Sequence, residues 1–165
     1  MRRKGGVESG LDNLDVAILK ALVENARVPI KTLAGRIGLS SPSTAERIRR
    51  LEEAGVIEGY SARLNPTALG LPLAVLIRIR PMPGELDRVA KLLAKKASVV
   101  ECDRVTGDDC FVAKAHVQTV GELERLIDDL LPLATTNTAI IQSSPVRRRM
   151  PDISVKASSK DKLGS

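Results

Sequence analysis

Residues 39–57 read LSSPSTAERIRRLEEAGVI. Ser40 or Ser41 can cap a helix by accepting a hydrogen bond from one of its first free N–H groups, and Pro42 suits a first turn that needs no N–H donor. Ala45, Ile48 and Leu51 then recur at the spacing of one apolar helix face until Gly55 ends the run. With that face inward, Ser43, Thr44, Arg47 and Arg50 point outward, Arg49 lies on a flank and Glu46 dilutes the charge. Taken alone, the stretch could equally be a solvated helix whose arginines pair with Glu46, Glu52 and Glu53 at helical spacing.

Its neighbours decide between the two. Upstream, Leu14, Ile18, Leu19 and Leu22 recur at three and four residues, with Asp12 or Asn13 placed as a cap, which predicts a helix ending near Asn25. After the break at Arg27-Val28-Pro29, the spacing of Ile30, Leu33, Ala34 and Ile37 predicts a second, short helix. Gly38 stops it as a residue tolerant of left-handed backbone does. Three helices within about 45 residues, the last two joined by a tight turn, make a helix-turn-helix, in which the later helix enters the major groove of double-stranded DNA. Hydroxyls near its start and guanidiniums further along suit base edges and phosphates. Val56–Leu64 leans toward β structure and could form a short strand or wing, and NPTALGLP (65–72) reads as a linker.

Beyond the linker the rhythm changes. LAVLIRIR (73–80) alternates as a strand, PMPG turns the chain into a helix from about Glu85 to Ala97, and VVECDRVT (99–106) and CFVAKAHV (110–117) flank the turn residues Gly107-Asp108-Asp109. GELERLIDDLLPL forms a further helix and TTNTAIIQSSPV a fourth strand. The order β-α-β-β-α-β predicts a ferredoxin-like antiparallel sheet with both helices on one face. Phe111, Ala113, Ala115 and Val117 should meet those helices, leaving Cys110, Val112, Lys114 and His116 on the other face, where a second copy of the sheet would cover them as a homodimer. The fold class is therefore α+β: a helix-turn-helix domain over 11–64, the linker 65–72 and a ferredoxin-like domain over 73–147. Residues 1–10 and 148–165 are expected to be flexible ends.

The 165 residues carry a formal charge of +6 with 28% charged and 43% hydrophobic residues, and Tyr60 and Phe111 are the only aromatics. That balance favours an anionic partner, and the cores must be aliphatic. Without aromatic platforms, single-strand binding by base stacking is disfavoured. Cys102, Cys110 and the lone His116 make a poor metal set, no cofactor is called for, and no apolar run suggests a membrane span or an export leader, so a reducing cytoplasm is expected.

VTGDDCFV at the hairpin offers a Gly and two acids, which could hold a small zwitterion by its amine and carboxylate or could simply be a turn that uses Gly-Asp. Residues 11 to about 147 resemble the Lrp/AsnC (leucine-responsive, feast/famine) family of transcriptional regulators. The carriers are the LD..D..IL start, the GLS turn, the RI..LE..GVI exit, the NP..LG linker and the hairpin VTGDDCFVAKAHV. The resemblance implies a sequence-specific DNA-binding regulator responding to a small amino acid, built from dimers that assemble further into octamers. Carried over, the DNA role falls on Ser41, Ser43, Thr44, Arg47 and Arg50 beside the flanking Arg49, and the effector role on Gly107, Asp108 and Asp109 with Thr136 and Thr138. Cys110 stands where the family has an acid, and Leu133-Ala134 where it has Gly-Val.

An enzyme on the same layout is the alternative. The sirohaem decarboxylases, which resemble this family, use His and Arg near the tetrapyrrole carboxylates, and His116 is expected near Arg78 or Arg80. A lone histidine on a strand more often packs than catalyses, and such an enzyme would tolerate a degraded recognition helix. A helix-turn-helix that binds protein is the third reading; it predicts no salt-dependent DNA affinity.

Overall fold

The computed structural model describes residues 10–151 and 153. Two compact units result. Residues 10–62 with 148–151 and 153 form one, and Arg63–Arg147 form the other.

The helical unit holds α1 (Asn13–Glu24), α2 (Ile30–Ile37) and α3 (Ser41–Glu53). Asp12 caps α1 in a capping box: its carboxylate accepts the Asp15 N–H at 2.8 Å, while the Asp15 carboxylate accepts the Asp12 N–H at 3.2 Å. Gly38 ends α2 with φ +72°, a left-handed backbone that costs a side chain about 1 kcal/mol but glycine almost nothing. Ile18, Leu19, Leu33 and Leu51 form the buried cluster, with Ile37, Ile48, Ile57 and Ile153 against it. Val56–Leu64 joins no ladder: Val56 and Ile57 bend after α3, both donating their N–H groups to the Leu51 carbonyl, and 58–64 take up no regular element. The expected flexible end from 148 onward thus includes a residue, Ile153, packed on the helical core. The rest of that expectation, residues 1–9, 152 and 154–165, lies outside the described residues apart from exposed Gly10 and the stretch 148–151.

The second unit opens with a single 3-10 turn, Thr67–Leu69, in the linker. Then come β1 (Leu73–Pro81), α4 (Leu86–Lys95), β2 (Val99–Arg104), β3 (Phe111–Val117), α5 (Val120–Leu130) and β4 (Ala134–Ile140). The sheet order is β2-β3-β1-β4 with antiparallel neighbours throughout, the ferredoxin-like arrangement. Val75, Ile77 and Ile79 of β1 and Phe111, Ala113, Ala115 and Val117 of β3 are buried with Val89, Leu93, Leu123, Leu126 and Leu130 of the two helices. The alternation on β3 is the one expected, with Val112, Lys114 and His116 on the other face. Cys110 is a correction: it packs against the core, since β3 begins only at Phe111 and a loop residue is not bound by strand alternation.

Candidate nucleic-acid interface

The start of α3 is tied down locally. Ser40 Oγ accepts the Ser43 N–H at 3.2 Å and lies 2.8 Å from Ser43 Oγ, so the two hydroxyls share a hydrogen bond at the rim of the helix. Thr44 corrects the expectation of an outward residue: it is fully buried, and its hydroxyl donates to the Ser40 carbonyl at 2.9 Å. Position 44 lies one turn before Ile48 and so belongs to the inward stripe. Its role there is packing.

Arg47 is the second correction. Its guanidinium Nη1 donates to Asp12 Oδ2 and to Asp15 Oδ1, each at 2.7 Å, and the side chain is only 21% exposed. Asp15 is itself buried. The two carboxylates that close the capping box of α1 therefore also hold α3. The Asp15 N–H, then Arg47, hold the Asp12 carboxyl below its ordinary range, and in return the two acids, Asp15 first, raise the Arg47 guanidinium further above its own. Sequence reasoning placed Asp12 as a cap but missed this pairing. The available signal was a second acid three residues after the cap, with more acid than the cap needs.

Arg49 follows the solvated-helix pattern: it reaches Glu46 through Nε at 3.0 Å and Nη2 at 2.6 Å, and Glu53 through Nη1. Tyr60 Oη donates to Glu52 Oε1 at 2.8 Å; burial first, then that carboxylate, push the phenol up to about 12. Arg50 alone among the α3 arginines is exposed and makes no hydrogen bond or ion pair with a described residue. The outward set is thus Ser43 and Arg50, with Ser41 half-buried beside them.

In the sheet unit the hairpin acids are engaged. Arg78 on β1 donates through Nε to Asp109 Oδ2 at 2.7 Å, and Arg80 donates through Nε to the Asp108 carbonyl at 2.9 Å, with its Nη2 3.4 Å from Asp108 Oδ2. Gly107 takes φ +110° at the bend between them. Thr136 and Thr138 pair with Ile79 and Ile77 and share their face, whereas Thr135 and Asn137 lie across from Arg80 and Arg78. Within one chain the two threonines and the clamped acids are therefore on opposite faces of the sheet. His116 pairs with Ala74, while Arg78 pairs with Val112 four residues along the strand, which corrects the expected His–Arg proximity. The Nδ1 of His116 is buried without a hydrogen-bond partner.

Two family models match the chain: a winged helix-turn-helix DNA-binding domain over residues 11–58 and an Lrp/AsnC ligand binding domain over 74–151. The HTH-type transcriptional regulator LrpA of Mycobacterium tuberculosis is 33% identical over 133 residues, which is 80% of this chain and 89% of that protein. The leucine-responsive regulatory protein of Haemophilus influenzae is 34% identical over 124 residues, 73% of this chain and 75% of that one. A feast or famine regulatory protein from M. tuberculosis, solved complexed with L-methionine, superposes with a TM-score of 0.80 at 32% identity, covering 87% of this chain and 99% of that one.

Proposed function

This chain belongs to the Lrp/AsnC family of transcriptional regulators, and from that membership we propose that it reads double-stranded DNA with α3 under the control of a free amino acid. The observation that carries the DNA half is the outward set on α3. Ser41 and Ser43 sit at the start of a capped helix, where a hydroxyl can reach a base edge or a phosphate, and the unpaired Arg50 can take guanine or phosphate. Arg47 positions that helix through Asp12 and Asp15, Thr44 packs beneath it, and Arg49 serves its flank.

The effector is a small amino acid held at Gly107, Asp108 and Asp109. An ion pair such as Asp109–Arg78 presents both signs at one place, so a zwitterion could exchange into it, ammonium to the acid and carboxylate to the guanidinium. The M. tuberculosis relative bound to L-methionine supports the ligand class. Thr136 and Thr138 join this site from a neighbouring dimer, a reading supported by their lying on the opposite face within one chain. The outer face, with Ala74, Leu76, Val112 and His116, pairs with its copy in a homodimer, and dimers assemble further toward octamers. The regulator acts in the cytoplasm and is not an enzyme; the distance of His116 from Arg78 along the register weighs against a decarboxylase-like site. Among the described residues no helix is long and apolar enough to cross a membrane.

Titration calorimetry of the full chain against the twenty amino acids tests the effector half. At least one should bind with submillimolar to millimolar affinity, and Asp109→Ala should abolish its heat. No binder at millimolar concentration removes the effector from this proposal and leaves the DNA half standing.

A further inference from the structure

The positive charge of this chain is not where its recognition helix is. α3 carries three arginines and three glutamates and is formally neutral, and two of those arginines are consumed by internal ion pairs. Between residues 10 and 146 the chain holds 17 lysines and arginines against 17 aspartates and glutamates. The whole of its +6 therefore resides in residues 1–9, which carry +2, and 147–165, which carry +4.

Double-stranded DNA is a polyanion, and the strength and salt dependence of its binding come from cations placed on phosphates. Residues 10–146 carry no net positive charge, and α3 offers one free arginine. The densest run of cations is Arg147-Arg148-Arg149, and it lies where the chain returns to the helical unit: Arg148 and Arg149 group with residues 10–62, and Ile153 packs against the cluster that includes Leu51 and Ile48 of α3. All three arginines are exposed and make no hydrogen bond or ion pair with a described residue. Lys156, Lys160 and Lys162 follow in the sequence. Ile153, anchored on that cluster, keeps Arg148 and Arg149 with the helical unit.

We infer that the run Arg147-Arg148-Arg149, whose last two residues belong to the helix-turn-helix unit, is a phosphate-binding arm, which supplies backbone affinity while α3 supplies base preference. This rests on the reading of the chain as a DNA binder. Phosphate contacts carry no sequence information, so the arm acts on every duplex alike.

The test is equilibrium binding of the full chain and of the triple variant Arg147→Ala, Arg148→Ala, Arg149→Ala. Both are measured on a duplex carrying a selected site and on a scrambled duplex, over salt from about 50 to about 200 mM. Each arginine on a phosphate contributes about 0.9 to the slope of log affinity against log salt, so the triple variant should flatten the slope by up to about 2.7 per chain and lose about five-fold in affinity per arginine near 0.15 M. The ratio of selected to scrambled affinity should stay as it was, and the unfolding temperature should not move, since Ile153 is untouched. The triple Lys variant should keep the steep slope, because a phosphate accepts either cation. An unchanged slope in the triple Ala variant overturns the arm, as does a flattened slope in the Lys variant. If the unsubstituted chain binds neither duplex, the DNA reading itself has failed, which is a different result from failure of the arm.

Discussion

Replacing Arg47 with Ala separates a groove-reading arginine from one that holds the domain together. In the structure its guanidinium closes two bonds of 2.7 Å to Asp12 and Asp15, across 35 and 32 residues of chain. Truncation would leave the Asp15 carboxylate, whose side chain is 9% exposed, without its cation, and would open a gap between α1 and α3. Stranding one member of a fully buried pair costs about 3–5 kcal/mol, whereas exposed pairs contribute about 0–1 kcal/mol. This pair lies between those limits, because Asp12 is half exposed and can rehydrate while Asp15 cannot, so a loss of about 2 kcal/mol is expected. For a unit of this size, that lowers the midpoint of thermal unfolding by about 8–16 °C. Circular dichroism melting of Arg47→Ala, Asp15→Ala and the double variant measures both the loss and the coupling, and the coupling should be at least about 1 kcal/mol. Affinity for DNA should fall equally on all sequences. An unchanged melting temperature together with relaxed preference at a single base pair would refute this reasoning and return Arg47 to the groove.

Three other outcomes follow from the same contacts. Because the folded-state pKa of Asp12 lies below its unfolded value of about 3.9, its contribution is fully present above that pH and is lost as pH falls through the lower folded value; the gap in melting temperature between the native chain and Asp12→Asn should be constant from pH 5 to 8 and close below about pH 4. Thr44→Val removes a buried hydroxyl whose acceptor, the Ser40 carbonyl, still receives the Thr44 N–H at 3.0 Å, so it should cost about 1 kcal/mol of stability and leave DNA preference alone; altered preference at full stability would contradict this. Arg50→Ala should cost about 1–3 kcal/mol of DNA affinity and relax one base position in a binding-site selection, whereas equal loss on every sequence would make Arg50 a phosphate contact.

Much of the architecture was legible because short-range chemistry governs it. The Leu14, Ile18, Leu19, Leu22 period, the Gly38 stop and the strict alternation of 111–117 each report a local geometry that nothing distant overrides. The side-chain partners were less legible. Helical spacing turns Arg47 outward, toward DNA or the nearby Glu46, Glu52 and Glu53, whereas its partners Asp12 and Asp15 lie more than thirty residues away in the chain. Likewise Arg78 and Arg80 could be assigned to the outer sheet face, but their clamp on Asp108 and Asp109 depends on the β1–β3 register, which fixes Val112 opposite Arg78. Thr44 failed for a different reason. Three apolar anchors leave the stripe's edge undetermined, and a threonine that can satisfy its hydroxyl on the preceding turn fits inside as well as outside.

Selection of bound genomic fragments by the full chain, run with and without each amino acid, bears on the function as a whole. Enrichment of fragments sharing one sequence pattern, with occupancy that shifts when at least one amino acid is added, is the expected result. Recovery of fragments with no shared pattern under every condition would contradict it.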